Sequence, residues 1–448
     1  MTGARSVESV PSAALFLVYK FPDLDHLVPV VTRLAKEGKS VQVVSLNPLL
    51  DSEDWRIQHL QQLDGVAYDS VYRLGHQTQL EALIGWLLTR PLFRASFRTG
   101  GVIGSLHTWF GQPLITLLLI RLRGAVGSLG RRFIYLPVMR WVTPRVFGDS
   151  WGLRMLEFIC PRALVVDHSA RSSLLVFGPL IRAARSKGVS VLALPHSLSL
   201  FAGRTKAYAL AYNRMKGAGF DAIVVPHDRL KGDMVAHGMD SASIKVLGSA
   251  RYCHEWVQIL HKIIVREQPP HVKKDGGLKV LYMDRGADRH GHFKDSVQRT
   301  LLTLAKLDFV NLVYKPHPRS NRVWLSKLSG RVTMATKTDS VNLVRWSDAV
   351  IGTVSSGLVE ALVQDKTLIY PAFLNDEQML FDELGACWRV EDLNQLTSAL
   401  KALRVGGNSR PYSSEALKGF ENLAILGGMA NRDVLGSYVD LILGQGEQ

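Results

Sequence analysis

The chain's 448 residues exceed what one hydrophobic core usually organises, and 47% are hydrophobic with only 8% aromatic; this excludes a disordered chain and predicts two folded α/β domains. Cys160, Cys253 and Cys387 lie far apart, which excludes a disulfide framework or a cysteine metal site and fits a reduced intracellular compartment. The net charge of +15 is unaccompanied by any RNP, helix-turn-helix or zinc-finger spacing, so nucleic acid is not an expected partner.

Met1 to Ser12 is polar and lacks the apolar core of a signal peptide. Ala13–Tyr19 then reads as a buried strand, Asp23–Lys36 as a helix closed by Gly38, and Val41–Leu46 as a second strand, a βαβ opening. An insertion of mainly helical pattern follows, over 82–148. Between Glu81 and Asp149 it contains no acidic residue, while Arg121, Arg123, Arg131 and Arg132 stand among other arginines and aromatic residues such as Trp109, Phe110, Phe133 and Tyr135. Basic and aromatic residues without a run of spanning length are what an interfacial segment on an anionic bilayer needs; the longest strongly apolar run, Pro113–Ile120, is far too short to cross. Arginines exposed on helices with no partner are the plainer alternative.

Strand-like runs resume at Ala163–Val166, Val191–Leu194, Ala222–Val225 and Ile244–Leu247, with helical pattern at Ser172–Lys187 and Asp228–His237. Each strand empties into polar residues: Asp167-His168-Ser169, Pro195-His196-Ser197, Pro226-His227-Asp228 and Gly248-Ser249-Ala250-Arg251. Ligands of doubly wound sheets collect at those carboxyl ends. The stretch Glu267–Gly277, with Pro269, Pro270, Gly276 and Gly277, reads as a linker. The expected division is therefore 1–267, a linker at 268–278, and 279–448. In the last part Lys279–Met283, Asn311–Tyr314, Ala349–Ile351 and Thr367–Tyr370 read as strands and Asn431–Leu443 as a final helix.

Two motifs in this second half combine strand ends with anion-binding residues. Lys315-Pro316-His317-Pro318-Arg319 holds a histidine between prolines and cations; Gly352-Thr353-Val354-Ser355-Ser356-Gly357 leads into the helical pattern of Leu358 and Leu362. Free N–H groups and hydroxyls at such a helix start suit a phosphate. Glu360, one turn after Ser356, is placed to meet a ribose hydroxyl or to remain a plain helix carboxylate, and Arg285, after another strand, to meet a phosphate. His290 and His292 lack a partnering cysteine, and Asp23-Leu24-Asp25 precedes a helix, so no metal and no cofactor are expected.

Two Rossmann-like halves with HP and SS elements at His317-Pro318 and Ser355-Ser356 resemble the GT-B bacterial surface-polysaccharide transferases: the capsule Kdo transferases, the HP/SS sialyltransferases and the CDP-glycerol glycerophosphotransferases. The resemblance is closest from Lys279 to about Ala386. It implies two Rossmann-like domains facing across a cleft, with the nucleotide-sugar donor on the second half and the acceptor on the first. Lys315, His317, Arg319, Thr353, Ser355, Ser356, Glu360 and Arg285 would hold the donor. An inverting transferase also needs a base on the first half; the candidates are Asp23 (or Asp25), Asp167-His168, His196 and His227-Asp228. His196 is similar to the histidine of the glycerophosphotransferases, and Asp23 to the acidic bases after the first strand of other GT-B enzymes, although a helix N-cap is its simpler role.

The expected activity is inverting transfer of a sugar, CMP-linked or UDP-linked, to a lipid-linked or surface polysaccharide acceptor, by a cytoplasmic enzyme peripheral on the inner face of the cell membrane. The sialyltransferases' acidic element is missing, with Leu63-Asp64-Gly65 only an echo. Rival readings are a CDP-polyol phosphotransferase, a UDP-sugar 2-epimerase and a non-catalytic membrane-docked scaffold.

Overall fold

A computed structural model describes residues 12–19, 21–46, 50, 54–71, 74–75, 78, 146–169, 177–203, 212–213, 215–265, 276–284, 293–317, 320, 322–406 and 410–444. These form two compact units, the first drawn from 1–196, 206–251 and 431–448, the second from 197–205 and 252–430. The contacts thus divide the chain elsewhere than at 268–278. Helix His254–Ile263 counts with the second unit, where Asn342 Nδ2 donates to Val265 O at 2.8 Å just beyond it. The closing helix Val434–Leu443 returns to the first unit. There Arg432 Nη1 donates to Val246 O (2.7 Å), Tyr438 Oη to Gly248 O (2.9 Å), and Asp433 pairs with Arg33 (2.9 Å).

The first unit is a seven-stranded sheet, β1 (Ala14–Val18), β2 (Val41–Ser45), β3 (Val66–Ser70), β4 (Ala163–Asp167), β5 (Ser190–Leu194), β6 (Ala222–Val225) and β7 (Ile244–Val246), in the order β3-β2-β1-β4-β5-β6-β7. Every pairing is parallel. A parallel sheet is covered on both faces, which is why β1 and β4 are buried at every residue. The covering helices include α1 (Phe21–Lys36), α2 (Trp55–Gln62), α3 (Asp149–Ile159), α4 (Phe177–Ser186) and α5 (Asp228–Ala236). In α1, Asp23 occupies the first turn, Arg33 and Lys36 the last, and Gly38 follows at φ +71°, so charge and backbone both agree with the helix's ends. Leu15, Leu17, Leu164, Val166, Trp151 and Leu180 belong to one buried cluster. The order reverses between β1 and β4, opening a crevice at their carboxyl ends.

The second unit repeats the plan with β8 (Leu278–Met283), β9 (Val310–Lys315), β10 (Thr333–Met334), β11 (Ala349–Gly352), β12 (Thr367–Pro371) and β13 (Trp388–Val390), in the order β10-β9-β8-β11-β12-β13 and parallel throughout. Its reversal lies between β8 and β11, where Met283 stands in register with Gly352. Helices α6 (His254–Ile263), α7 (Lys294–Lys306), α8 (Arg322–Leu328), α9 (Ser340–Trp346) and α10 (Gly357–Val363) surround it.

The predicted strands lie within a residue or so of those observed. The three unanticipated ones, β3, β10 and β13, are all sheet edges. An edge needs no continuous apolar run, and Val66-Ala67-Tyr68-Asp69-Ser70 has none. Helix α4 is described from Phe177; residues 170–176, where the predicted start at Ser172 falls, lie outside the described part. The basic insertion, with Arg121, Arg123, Arg131 and Arg132, also lies outside it except for its last residues, of which Val146 and Phe147 are buried. No helix among the described residues is long and apolar enough to cross a membrane.

Candidate active site

At the crevice of the first unit, three of the predicted residues meet. Asp167 is the last residue of β4, and its Oδ1 accepts the Ser169 N–H at 2.7 Å, which aims Oδ2 at His196. His196, two residues beyond β5, places Nδ1 2.9 Å from that oxygen. Asp23, in the first turn of α1, accepts the Tyr19 N–H on Oδ2 at 2.9 Å and brings Oδ1 to 3.8 Å from the same Nδ1. Asp23 therefore both secures the start of its helix and contributes to the cluster. The two carboxylates are buried, whereas the His196 side chain is 40% exposed, so only the imidazole is open to a reactant.

The chemistry of this group follows from its burial. Burial alone would raise the Asp167 carboxyl, but the hydrogen bond and charge of His196, with the donors of Ser169, outweigh it and hold the group at about 2. An ionised Asp167 requires a proton on Nδ1 of His196; in the neutral imidazole this leaves the lone pair on Nε2. That is the arrangement of a general base with an orienting carboxylate. Asp23, Asp167 and His196 also each offer one ligand atom within 4.8 Å of the others, the described group with the donors to hold a metal ion. A metal there would have to replace the Nδ1–Oδ2 hydrogen bond, since it needs the same lone pairs.

The neighbouring candidates are already committed. Asp25 pairs with Arg56 Nη1 at 2.6 Å and Arg251 Nη1 at 2.9 Å, and these cations overcome burial to lower its carboxyl. Arg56 is further held by Asp54, the N-cap of α2. His227 is not a base: its Nδ1 accepts the Leu230 N–H and caps α5. His168 is buried, and burial lowers it to about 4; His26, also buried and then repelled by Arg251, falls to about 3. Both are neutral at pH 7. Arg56 was not anticipated; its signal was Asp54, a capping residue two positions earlier.

In the second unit the predicted donor residues gather around the β8–β11 reversal. Gly352 ends β11, Thr353 is buried, and Ser355 and Ser356 are half-buried. Ser355 Oγ accepts the Gly357 N–H at 3.2 Å, and Tyr252 Oη donates to Ser356 O at 2.7 Å, so both serines are fixed. A Cβ on Gly357 would meet Met283 Cε, the tip of a side chain from the end of β8, so the start of α10 packs closely there. Glu360 is buried and accepts from Ser340 Oγ at 3.3 Å, turning its carboxylate toward α9. Lys315 Nζ donates to Thr338 O, so it holds the start of α9 as well as adding charge. His317 is half-buried beyond β9; Arg319 and Arg285, and with them His290 and His292, lie outside the described residues.

No family model matches the chain, and no curated protein does. Solved structures do. The UDP-GlcNAc 2-epimerase of Methanocaldococcus jannaschii aligns over 97% of this chain and 99% of its own, with a TM-score of 0.53 at 12% identity. That of Neisseria meningitidis, bound to UDP-GlcNAc, aligns over 96% and 98%, with a TM-score of 0.52 at 13% identity. The chain has the GT-B fold. A glycotransferase of kitacinnamycin also aligns, over 97% and 99%, with a TM-score of 0.49 at 14% identity. At these identities the likeness concerns the path of the chain and not its chemistry.

Proposed function

We propose that this GT-B protein is an inverting glycosyltransferase, taking a sugar from a nucleotide donor held by the second unit and giving it to an acceptor hydroxyl activated by His196. The observation that carries this reading is the His196–Asp167 pair: one exposed imidazole, oriented by a buried carboxylate. As the hydroxyl attacks the anomeric carbon, its proton passes to Nε2, the imidazolium is stabilised by Asp167 and Asp23, and the nucleotide diphosphate or monophosphate departs. His317, Ser355, Ser356 and Thr353, with Arg285, Lys315 and Arg319, would meet the growing negative charge on the leaving phosphate. Glu360 would act through Ser340 unless it turns toward a ribose. No metal has a role in this scheme.

UDP-sugars are the first donors to test, because fold neighbours bind UDP-GlcNAc, with CMP-sugars beside them on the motif resemblance. The proposed acceptor is a lipid-linked or surface polysaccharide, reached from the cytoplasmic membrane face through the basic insertion. The second reading is a UDP-sugar 2-epimerase, favoured by the names of those neighbours. Epimerisation at a carbon requires a proton to leave one face and return to the other, hence two acid–base groups. Among the described candidate bases of this crevice Asp25 and His227 are already engaged, and His196 is the exposed imidazole.

The test incubates the full chain with UDP-, CMP-, GDP- and CDP-linked sugars, with and without membrane glycolipid acceptors, following nucleotide release and the C2 configuration by NMR. Acceptor-dependent release, lost in His196→Ala with folding intact, is expected. A C2-inverted nucleotide sugar made without acceptor would establish the epimerase instead, and full turnover by His196→Ala would refute the base assignment.

A further inference from the structure

The second unit contains a buried hydrogen-bond chain that none of the donor assignments uses. Asp284 is the first residue after β8, at the reversal point, and is buried. Its backbone N–H donates to Lys315 O at 3.0 Å. Its Oδ2 accepts from Tyr314 Oη at 2.8 Å and from Ser320 Oγ at 3.2 Å. The Tyr314 oxygen in turn accepts from Trp324 Nε1, in α8, at 2.9 Å. Ser320 closes the path, donating its backbone N–H to His317 O at 2.9 Å.

One carboxylate thus grips both flanks of the segment that carries His317: Tyr314 and Lys315 before it, Ser320 and, through Tyr314, Trp324 after it. We propose that Asp284 is the positioning residue of the His317 turn, setting where that histidine meets the donor's phosphate. The physical reason for a carboxyl group is its capacity: a single oxygen accepts two hydroxyl protons at once, from Tyr314 and Ser320. Removing it strands two hydroxyl donors in a low-dielectric site, so the flanks separate rather than adjust. A purely structural role would cost stability anywhere in the unit; a positioning role concentrates the loss at one turn. The proposal rests on the reading that His317 contacts a nucleotide phosphate, but its structural half is separately measurable.

The experiment compares full-length wild type, Asp284→Ala, Asp284→Asn and Leu403→Ala, the last a buried side chain elsewhere in the unit that controls for general destabilisation. Two quantities are read: amide hydrogen exchange of the peptide spanning His317 to Ser320, and UDP and CMP affinity by calorimetry on folded protein. In Asp284→Ala the peptide is expected to exchange faster and nucleotide to bind about tenfold more weakly, with KM for donor rising more than kcat falls. Asp284→Asn, which keeps an acceptor oxygen, should recover most of both; Leu403→Ala should change neither. Unchanged exchange in Asp284→Ala, or equal losses in Leu403→Ala, would overturn the proposal. Faster exchange in a chain whose wild type binds no nucleotide would leave Asp284 as the turn's anchor and remove the donor reading. Should Asp284→Ala fail to fold, Ser320→Ala severs one arm alone; the same peptide must then loosen by a smaller amount, and its failure to do so refutes the idea.

Discussion

His196 Nδ1 lies 2.9 Å from Asp167 Oδ2, and the two residues come from the ends of adjacent parallel strands, β5 and β4. Twenty-nine residues separate them in sequence, yet strand pairing places them side by side at the carboxyl edge of the sheet. Asp23 joins from the first turn of α1, which follows β1 on β4's other side. The reversal of strand order between β1 and β4 is what gathers residues from three crossovers into one crevice.

Asp167→Asn is the most informative substitution. An amide fits the same space, but its NH2 would donate to Nδ1, forcing the imidazole proton onto Nε2 and removing the base. We expect kcat for transfer to fall by roughly 10²- to 10⁴-fold with donor KM little changed. Asp167→Asn turnover within twofold of wild type, with folding verified by circular dichroism, would show that His196 needs no orienting carboxylate.

His26 and His168 predict the acid limb of stability. Burial holds His168 at about 4 and His26 at about 3, against 6.5 when unfolded. Their folded values are depressed, so the unfolded chain takes up protons that the folded chain refuses. Stability is complete above pH 6.5 and falls as pH drops toward 4, each group contributing a slope of about 1.4 kcal/mol per pH unit. Asp167, depressed to about 2, adds its own loss only below about 4. Urea titrations from pH 7 to pH 4 should show this slope, and His168→Asn should remove one histidine's share of it. An unaltered slope would mean that His168 titrates as if exposed.

Much of this could be read in the chain, and the remainder shows where sequence reading stops. Ala163–Asp167 and Ser190–Leu194 are apolar runs ending in or followed by polar residues, so each strand and its polar carboxyl edge were legible. Asp23, Asp167 and His196 stood as alternatives because nothing in a linear sequence states strand order. Asp25 looked as competent as Asp23, and only the positions of Arg56 and Arg251 show it engaged. Lys315 looked free for a phosphate because Thr338, its acceptor, belongs to a loop 23 residues on. Asp284 could not be singled out from the sequence, since its partners Tyr314 and Ser320 lie beyond a whole helix.

Two glycines near the donor motif differ in what surrounds them. A Cβ on Gly357 would meet Met283 Cε, the mobile end of a flexible side chain, whereas one on Gly352 would lie 2.9 Å from Met283 O and 2.7 Å from Leu358 Cδ2. Main chain in a central strand cannot yield as a methionine tip can. Gly352→Ala should therefore cost roughly 2 kcal/mol or more and Gly357→Ala about 1 kcal/mol or less, measured by chemical denaturation. The reverse ranking would mean that Met283 is immobile.

Chelation tests the cluster independently of any variant. A metal on Asp23, Asp167 and His196 would have to displace the Nδ1 proton, but the 2.9 Å hydrogen bond already supplies Asp167 with its partner. Dialysis against EDTA should leave both transfer rate and melting temperature unchanged, and added Mg²⁺ or Mn²⁺ should restore nothing. Activity lost to EDTA and recovered with one cation would turn the three residues from a base into a metal centre.

The basic insertion predicts vesicle binding. From Glu81 to Asp149 arginines recur without one intervening acid, and aromatic residues stand among them. On an anionic surface each well-placed cation contributes about 1 kcal/mol. Reversing Arg121, Arg123, Arg131 and Arg132 to glutamate should weaken co-sedimentation with phosphatidylglycerol vesicles by at least about 10²-fold, and added salt should weaken the wild type in the same direction. Neutral phosphatidylcholine vesicles should distinguish little between the two proteins. If the reversed variant still binds anionic vesicles as the wild type does, the acid-free stretch is not a docking surface, and the acceptor need not be tied to a membrane.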